Sequence, residues 1–181
     1  DMLPDLQEEG RGFALLGFRC DEGVRRNKGR TGAAEGPAAI RRACMNFAWH
    51  FNKDLIRIVD CGDVVCEGTK MEEAQEELAR WTGLIIGRGW LPVIAGGGHE
   101  VSYAGYKGVS EAESYNSQSI GIINFDAHFD LRDYREQANS GTPFSQIAGL
   151  NAANKKGFRY LCLGIQPQSN TESLFRKANE L

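Results

Sequence analysis

The 181-residue chain has no apolar run long enough to cross a membrane, no Cys-x-x-Cys pair and no excess of positive charge. Each absence removes a class of function. A spanning helix needs about 20 consecutive apolar residues, and a secretory leader needs a charged start followed by an apolar stretch. Neither is present, so the chain is expected to be soluble, cytoplasmic and without a membrane partner. It opens on Asp1, which places the expected start of translation upstream. Five cysteines, Cys20, Cys44, Cys61, Cys66 and Cys162, are odd in number and mostly lie in apolar surroundings. That is the usage of reduced core residues rather than of a disulfide framework or a thiolate zinc site. A formal net charge of -3 leaves no footprint for nucleic acid. The one basic cluster, Arg25-Arg26-Asn27-Lys28-Gly29-Arg30, is local and reads as a solvated loop.

What is present reads as one globular domain over residues 1–181, because 41% hydrophobic and 25% charged residues can build a core and a solvated surface. Repeats, low-complexity segments and linkers are lacking. After a charged leader, Phe13-Ala14-Leu15-Leu16-Gly17-Phe18 has the continuous apolar form of a doubly buried strand. Residues 21–36 are polar and glycine-rich, a connection long enough to be functional. Pro37 then opens a helix running to about Ala48. A strand over 56–60 is followed by a Gly-Asp loop. Residues 71–88 form the clearest helix, with Ala74, Leu78, Trp81 or Thr82, and Ile85 on one stripe and Glu72, Glu73, Glu76 and Glu77 in its first turns. Further strands are expected at 91–95, 120–125 and 159–164, and helices at 101–112, 144–153 and 172–179. Regular alternation of strand and helix predicts an α/β fold whose parallel sheet is covered on both faces by right-handed crossovers.

Two strand ends carry the chemistry. The run Ile122-Ile123-Asn124-Phe125 stops at Asp126-Ala127-His128-Phe129-Asp130, where ligand-type side chains alternate. In an extended segment that spacing sends Asp126, His128 and Asp130 to one side. Upstream, Leu91-Pro92-Val93-Ile94-Ala95 ends in Gly96-Gly97-Gly98-His99-Glu100, whose glycines permit a sharp turn ahead of a helix. If both strands open on the same carboxyl edge, His99 joins the aspartates. Other readings fail on spacing. Tyr103 stands where a zinc-protease helix needs its second histidine, and the glycines lack the Gly-Lys-Ser/Thr ending of a phosphate loop. Imidazole and carboxylate donors without thiolate suit manganese and, less selectively, zinc, iron or cobalt. Asp126 has two oxygens and can bridge two ions about 3.5–4 Å apart, an arrangement that lowers the pKa of a bridging water and supplies hydroxide for hydrolysis.

Together, Gly-Gly-Gly-His99-Glu100, Asp126-Ala-His128-Phe-Asp130 and Gly36-Pro37-Ala38-Ala39-Ile40-Arg41 resemble the ureohydrolase family of arginase, agmatinase and formimidoylglutamase. The resemblance implies a three-layer α/β/α arginase-like fold. It also implies two manganese ions per complete chain, with His99 and Asp130 on one, His128 on the other and Asp126 on both. The segments Asp21-Glu22-Gly23-Val24-Arg25-Arg26-Asn27, Gly29-Arg30, Leu131-Arg132 and Ser140-Gly141-Thr142-Pro143-Phe144 look most like formimidoylglutamase. That likeness implies hydrolysis of N-formimidoyl-L-glutamate to glutamate and formamide, in histidine degradation. Arg132, Asn27, Arg30, Ser140 and Thr142 are then the candidate substrate contacts. A guanidinium at 132 suits a dicarboxylate, the alternative being a surface arginine paired with Asp133 or Glu136. Ser140 stands where arginases have a histidine, so no proton relay is carried over and no side chain is assigned as the proton donor.

The resemblance further implies a homo-oligomer, trimeric or hexameric, and a later Asp-x-Asp motif that these residues do not contain. Only the N-terminal portion of the enzyme is therefore expected here. Asp126 and Asp130 offset two of the four positive charges of an ion pair, so the chain alone is expected to bind metal weakly. Competing expectations are an agmatinase or guanidino-acid hydrolase, which releases urea in place of formamide, and a truncated, non-catalytic assembly or regulatory subunit.

Overall fold

The computed structural model describes residues 12–52 and 54–181; the charged leader lies outside them. The chain runs β1 (Gly12–Arg19), α1 (Glu22–Arg26), α2 (Gly36–Cys44), β2 (Arg57–Val65), α3 (Met71–Gly87), β3 (Leu91–Ala95), α4 (Val101–Glu111), β4 (Gly121–Phe125), α5 (Pro143–Ala153), β5 (Arg159–Leu163) and α6 (Glu172–Glu180), with 3-10 turns at Ala33–Glu35 and Pro167–Ser169. All strand pairs are parallel, in the alternating order that the sequence predicts. The strands form two groups, β2-β1-β3 and β4-β5. Thus β3 and β4 are not hydrogen-bonded neighbours, although both deliver residues to one site.

β1 is central in its group; one face, Ala14, Leu16 and Phe18, is at 0% exposure, and on the other Phe13 and Leu15 are half-buried. Ala14, Leu16 and Phe18 pack with Met71, Leu78 and Ile85 of α3, Ala104 of α4, and Trp90. A second cluster joins Tyr106, Leu131, Phe144 and Ile147, with Leu174 and Ala178 of α6 against it. On α3 the buried residues Met71, Ala74, Gln75, Leu78, Ala79, Thr82 and Ile85 follow the helical repeat. Thr82 takes the inward place, while Trp81 donates from its indole to Glu77 Oε1 at 2.6 Å.

Five expectations change. Residues 21–36 hold α1 and a 3-10 turn rather than a plain loop. Helix α2 stops at Cys44, four residues short of the expected end, leaving Met45 and Phe47 exposed. β2 absorbs the expected Gly-Asp loop through a bulge: Leu15 pairs with Asp60 but Gly17 with Asp63, and Gly62 takes φ 77°. Arg41 of α2 secures that bulge, bonding Asp60 at 2.7 and 2.8 Å, Asp63 at 2.6 Å and the Gly62 carbonyl at 2.9 Å. Cover on both sheet faces is also not met among the described residues. Leu91 and Val93 of β3, Ile123 and Phe125 of β4, and Leu161 and Leu163 of β5 are exposed, while the residues between them are partly or fully buried. Nor are all the cysteines internal: Cys20 and Cys61 are buried, Cys66 and Cys162 half-buried and Cys44 exposed.

Helices α3 and α4 pack where Gly83 faces Gly108, and a Cβ on Gly83 would lie 3.5 Å from the Gly108 carbonyl oxygen. A Cβ on Gly108 would lie 2.5 Å from the Ala79 carbonyl oxygen and 2.6 Å from Thr82 Cβ, whereas one on Gly87 would meet nothing within 4 Å. Gly108→Ala is therefore expected to cost about 1–3 kcal/mol of stability through overpacking. Gly87→Ala should be neutral or gain up to about 1 kcal/mol through helix propensity. Urea midpoints of the two variants check the contrast, and equal midpoints would show that the helices can part at no cost.

Candidate metal centre

Asp126 follows β4 directly, and its N–H donates to the Leu163 carbonyl of β5 at 2.9 Å, extending the ladder by one bond. The chain then turns. The His128 N–H donates back to Asp126 Oδ1 at 2.9 Å, and Asp130 sits at φ 47° in the left-handed region. The predicted extended spacing is thus not how the side chains are arranged. A turn between Asp126 and His128, then a left-handed residue at Asp130, brings the two aspartates together and puts His128 on the far side of Asp126.

From β3, Gly96 and Gly97 at φ 74° and 76° swing the chain so that His99 reaches the aspartates. His99 Nδ1 lies 2.6 Å from Asp130 Oδ2 and 3.1 Å from Asp126 Oδ2. Its ring stands edge-on to Phe144 at 5.5 Å, which fixes the ring plane. The ligand atoms of His99, Asp126 and Asp130 all lie within 4.8 Å of one another. His128, at 54% side-chain exposure, places Nδ1 3.3 Å from Asp126 Oδ1. Asp126 therefore turns one oxygen toward His99 and the other toward His128. Burial works against a charged His99, but the Asp130 contact and the charges of Asp130, Asp126 and Glu100 outweigh it and raise its pKa above the ordinary value. Such a cluster of acids around one imidazole suits a divalent cation, and a hard, borderline one, since the set offers oxygen and nitrogen but no sulfur.

The turn is braced by residues that no sequence motif marked. Asn170 accepts from the Phe129 N–H at 3.0 Å and donates to the Ala127 carbonyl at 2.8 Å. The Tyr160 hydroxyl donates to the Phe129 carbonyl at 3.0 Å. Burial first, with the adjacent Cys162, pushes its phenol pKa upward, keeping it a donor. Cys162 Sγ lies 3.4 Å from the His128 carbonyl, so it supports the loop's backbone. Tyr160 and Cys162 are recognisable beforehand only as strand residues, and Asn170 only as a polar loop residue.

Beyond Asp130 the chain passes the second group of candidates. Arg132 Nη1 donates to Asn27 Oδ1 at 3.1 Å, and Asn27 Nδ2 donates to Ser140 Oγ at 3.2 Å. The neighbouring carboxylate Asp133 is held instead by Arg135, which keeps its pKa near 2. Arg132 is thus not the Asp133-paired surface residue of the alternative reading. Thr142 is at 0% exposure and bonds Asn139 and Gln146, so it holds the turn rather than facing a ligand. Arg30 is exposed and takes no part in the Arg132–Asn27–Ser140 network. Helix α1, which carries this group toward the metal side, is fastened by charge. Buried Glu22 accepts from Arg25 at 2.6 Å and from Arg26 at 2.9 Å, and Arg26 also bonds Glu72, the Thr69 carbonyl and the Ala138 carbonyl. Arg25 first, and then Arg26, hold Glu22 below the usual carboxylate range despite its burial.

The chain is similar to known proteins along nearly its whole length. The model of the Arginase family matches residues 11–180. The chain is 48% identical over 170 residues to the formimidoylglutamase of Chromobacterium violaceum, covering 94% of this chain and 53% of that protein. It is 46% identical over 170 residues to that of Aeromonas salmonicida, again with 94% and 53% covered. It spans about half the length of the curated relatives it matches. Among solved structures, Trypanosoma cruzi formiminoglutamase with Mn2+ superposes at a TM-score of 0.82 and 28% identity, over 99% of this chain and 61% of that one.

Because Asn170 holds both Ala127 and Phe129, Asn170→Ala is expected to destabilise the protein by about 1–3 kcal/mol through the orphaned Phe129 N–H. It should also weaken metal binding about 10–100-fold with all ligands intact. Manganese titration of the purified variant measures this, and unchanged affinity would show that the ladder bond at Asp126 fixes the turn alone.

Proposed function

The chain belongs to the arginase family, and on that premise we propose that the protein it represents hydrolyses N-formimidoyl-L-glutamate to L-glutamate and formamide. The observation that carries the substrate class is Arg132, two residues past Asp130 and backed by neutral Asn27. An exposed guanidinium without a carboxylate partner, two residues from a candidate ligand, attracts an anionic substrate and repels a cationic one such as agmatine. Relatives named formimidoylglutamase at 48% and 46% identity support the same reading.

In this proposal His99 and Asp130 hold one manganese ion, His128 the other, and Asp126 both, with its two oxygens already turned to the two sides. Two such ions, when bound, supply the Lewis acidity that brings water into ionisation near neutral pH. Asp126 and Asp130 offset only two of the four positive charges, and the chain spans about half the length of the relatives it matches. Arg132 grips a substrate carboxylate, and Asn27 and Ser140 keep its plane fixed. Thr142 holds the turn that presents them, and Arg30 adds positive charge at the exposed side. Water adds to the formimidoyl carbon, and the bond from that carbon to the glutamate nitrogen breaks. Glutamate leaves with the proton on its amine, and the carbon leaves as formamide. The reading places the protein in histidine degradation, in the cytoplasm and as a homo-oligomer acting on a small dicarboxylate, with nucleic acid and membrane outside its partners. No helix among the described residues is long and apolar enough to cross a membrane.

Product analysis tests the substrate: formamide release is expected, and urea release from a guanidino compound in its place would overturn the assignment. For the metal, elemental analysis after dialysis should find about two manganese ions per complete chain. Asp126→Ala should lose both and His128→Ala chiefly one; full metal content in Asp126→Ala would remove the bridging role. For specificity, Arg132→Ala should keep its metal and lose about 2–5 kcal/mol in kcat/KM, with Arg132→Lys recovering part. An Arg132→Ala enzyme that handles the full substrate as well as the parent does would end the argument for a dicarboxylate.

A further inference from the structure

We propose that Glu100 is a positioning residue which, through the backbone of Gly23, fixes the separation between the metal ligands and the Arg132–Asn27–Ser140 group. The site has two parts on different elements. His99, Asp126 and Asp130 come from the ends of β3 and β4, whereas Asn27 ends α1 and Ser140 lies in the long loop before α5. A substrate held at one end by Arg132 reacts at the other, so the span between the parts must be constant to within a fraction of an ångström.

Gly23 is where the two parts meet. Its N–H donates to Glu100 Oε1 at 3.1 Å. Its carbonyl accepts from Ser140 N–H at 3.0 Å and from Asn27 N–H at 3.0 Å. One residue of α1, through the peptide on either side of it, therefore connects the neighbour of His99 to both supports of Arg132. Glu100 is itself immobile: it is at 0% exposure, and its carbonyl accepts from Gln75 Nε2 of α3 at 2.9 Å. The carboxyl sits in a slot made by two glycines. A Cβ on Gly98 would fall 2.1 Å from Oε2, and one on Gly23 would fall 2.5 Å from it. Oε2 has no hydrogen-bond partner. A buried carboxyl with one unpartnered oxygen is a poor way to fill space, and an apolar side chain of similar size would stabilise the fold better. What the carboxyl provides and an apolar group lacks is the acceptor for Gly23. Arg26 holds the other side of α1 through Glu72 and the Ala138 carbonyl, so losing the Glu100 bond shifts α1 without releasing it.

This rests on the proposed function, and the test separates the two. In the full-length, manganese-loaded enzyme, Glu100→Asp is one methylene too short to reach Gly23. Amide exchange at Gly23 and across 139–142 should rise about tenfold, and KM for formimidoylglutamate should rise by a similar factor, as loss of one hydrogen bond implies. Manganese content should stay near the parent value, while kcat falls as well, because the reacting carbon is no longer held at a fixed span from the metal ligands. Glu100→Gln, whose amide oxygen accepts the same N–H in the same slot, should restore the parent exchange, KM and kcat. Gly23→Ala, which drives the carboxyl away from the other side, should reproduce the Glu100→Asp result and carries the test if that variant does not fold. The proposal is overturned if exchange and KM are unchanged in both, if Glu100→Gln behaves as Glu100→Asp does, or if manganese is lost in step with activity. An unmutated enzyme that does not hydrolyse formimidoylglutamate sinks the functional reading instead, while amide exchange, which needs no substrate, still decides the tether.

Discussion

The contact between His99 and the two aspartates is the constraint on which the arrangement depends. β3 and β4 share no ladder bond among the described residues, yet their ends meet because Nδ1 of His99 approaches Asp130 at 2.6 Å and Asp126 at 3.1 Å. Two carboxylates this close repel unless a positive charge stands between them. In the structure the imidazole lies against both aspartates, and contact with Asp130 and the charges of Asp130 and Asp126 raise its pKa despite burial. A metal ion offsets the repulsion more strongly and competes with the proton for the same atom. The geometry around Asp126 is thus set by charge balance, and the glycines before His99 and the left-handed Asp130 are the backbone conformations that permit it.

Much of this was legible in the sequence because the signals are local. Residues 91–95 have the apolar form of a strand, and the structure places β3 at Leu91–Ala95. The stripe on α3 follows a helical period that any surface helix must obey. Ligand types clustered after β4 pointed to the carboxyl end of the sheet, where the structure brings His99, Asp126 and Asp130 together. What was not legible depends on distant partners. α1 has only five residues, too few to be stable alone, and forms because Glu22, Arg26, Glu72 and Glu100 hold it from several directions. β2 hides behind Gly62-Asp63, which locally resembles a turn, and only Arg41 from α2 makes the bulge coherent. His128 could be named as a ligand type, but the side it faces follows from a turn closed by Asp126 itself. Asn170 carries no local mark at all.

The exposed apolar residues of β3, β4 and β5 are of the same kind. Alternation in each strand is clear, but the expectation of cover on both faces came from the rule that parallel sheets are buried. Phe125 at 81% and Ile123 at 64% exposure are departures from that rule. Their neighbours Ile122 and Asn124 lie inward, Ile122 against the Phe144 cluster, so the strand is correctly registered and only the outer layer is missing from the described residues. The site is unaffected in its local geometry, because Asp126 is held by Leu163 and His99 by Asp130, both on the carboxyl side.

Under the proposed function, substrate class turns on which partner Arg132 has. Had Asp133 paired with it, the guanidinium would be neutralised and a substrate carboxylate would have to displace a charged neighbour. Asp133 bonds Arg135 instead, and Asn27 offers Arg132 a neutral oxygen. A neutral acceptor fixes the guanidinium plane without cancelling its field, so the charge remains available to a bidentate anion. The cost is that a bare cation would repel the divalent ions of the proposed site, an effect tolerable only if solvent or a bound carboxylate screens them. A dicarboxylate substrate supplies that screening as it binds, whereas a cationic guanidino substrate would add a further positive charge to the same cleft. The neutrality of Asn27 is therefore the feature that divides the two substrate classes, more than the presence of an arginine.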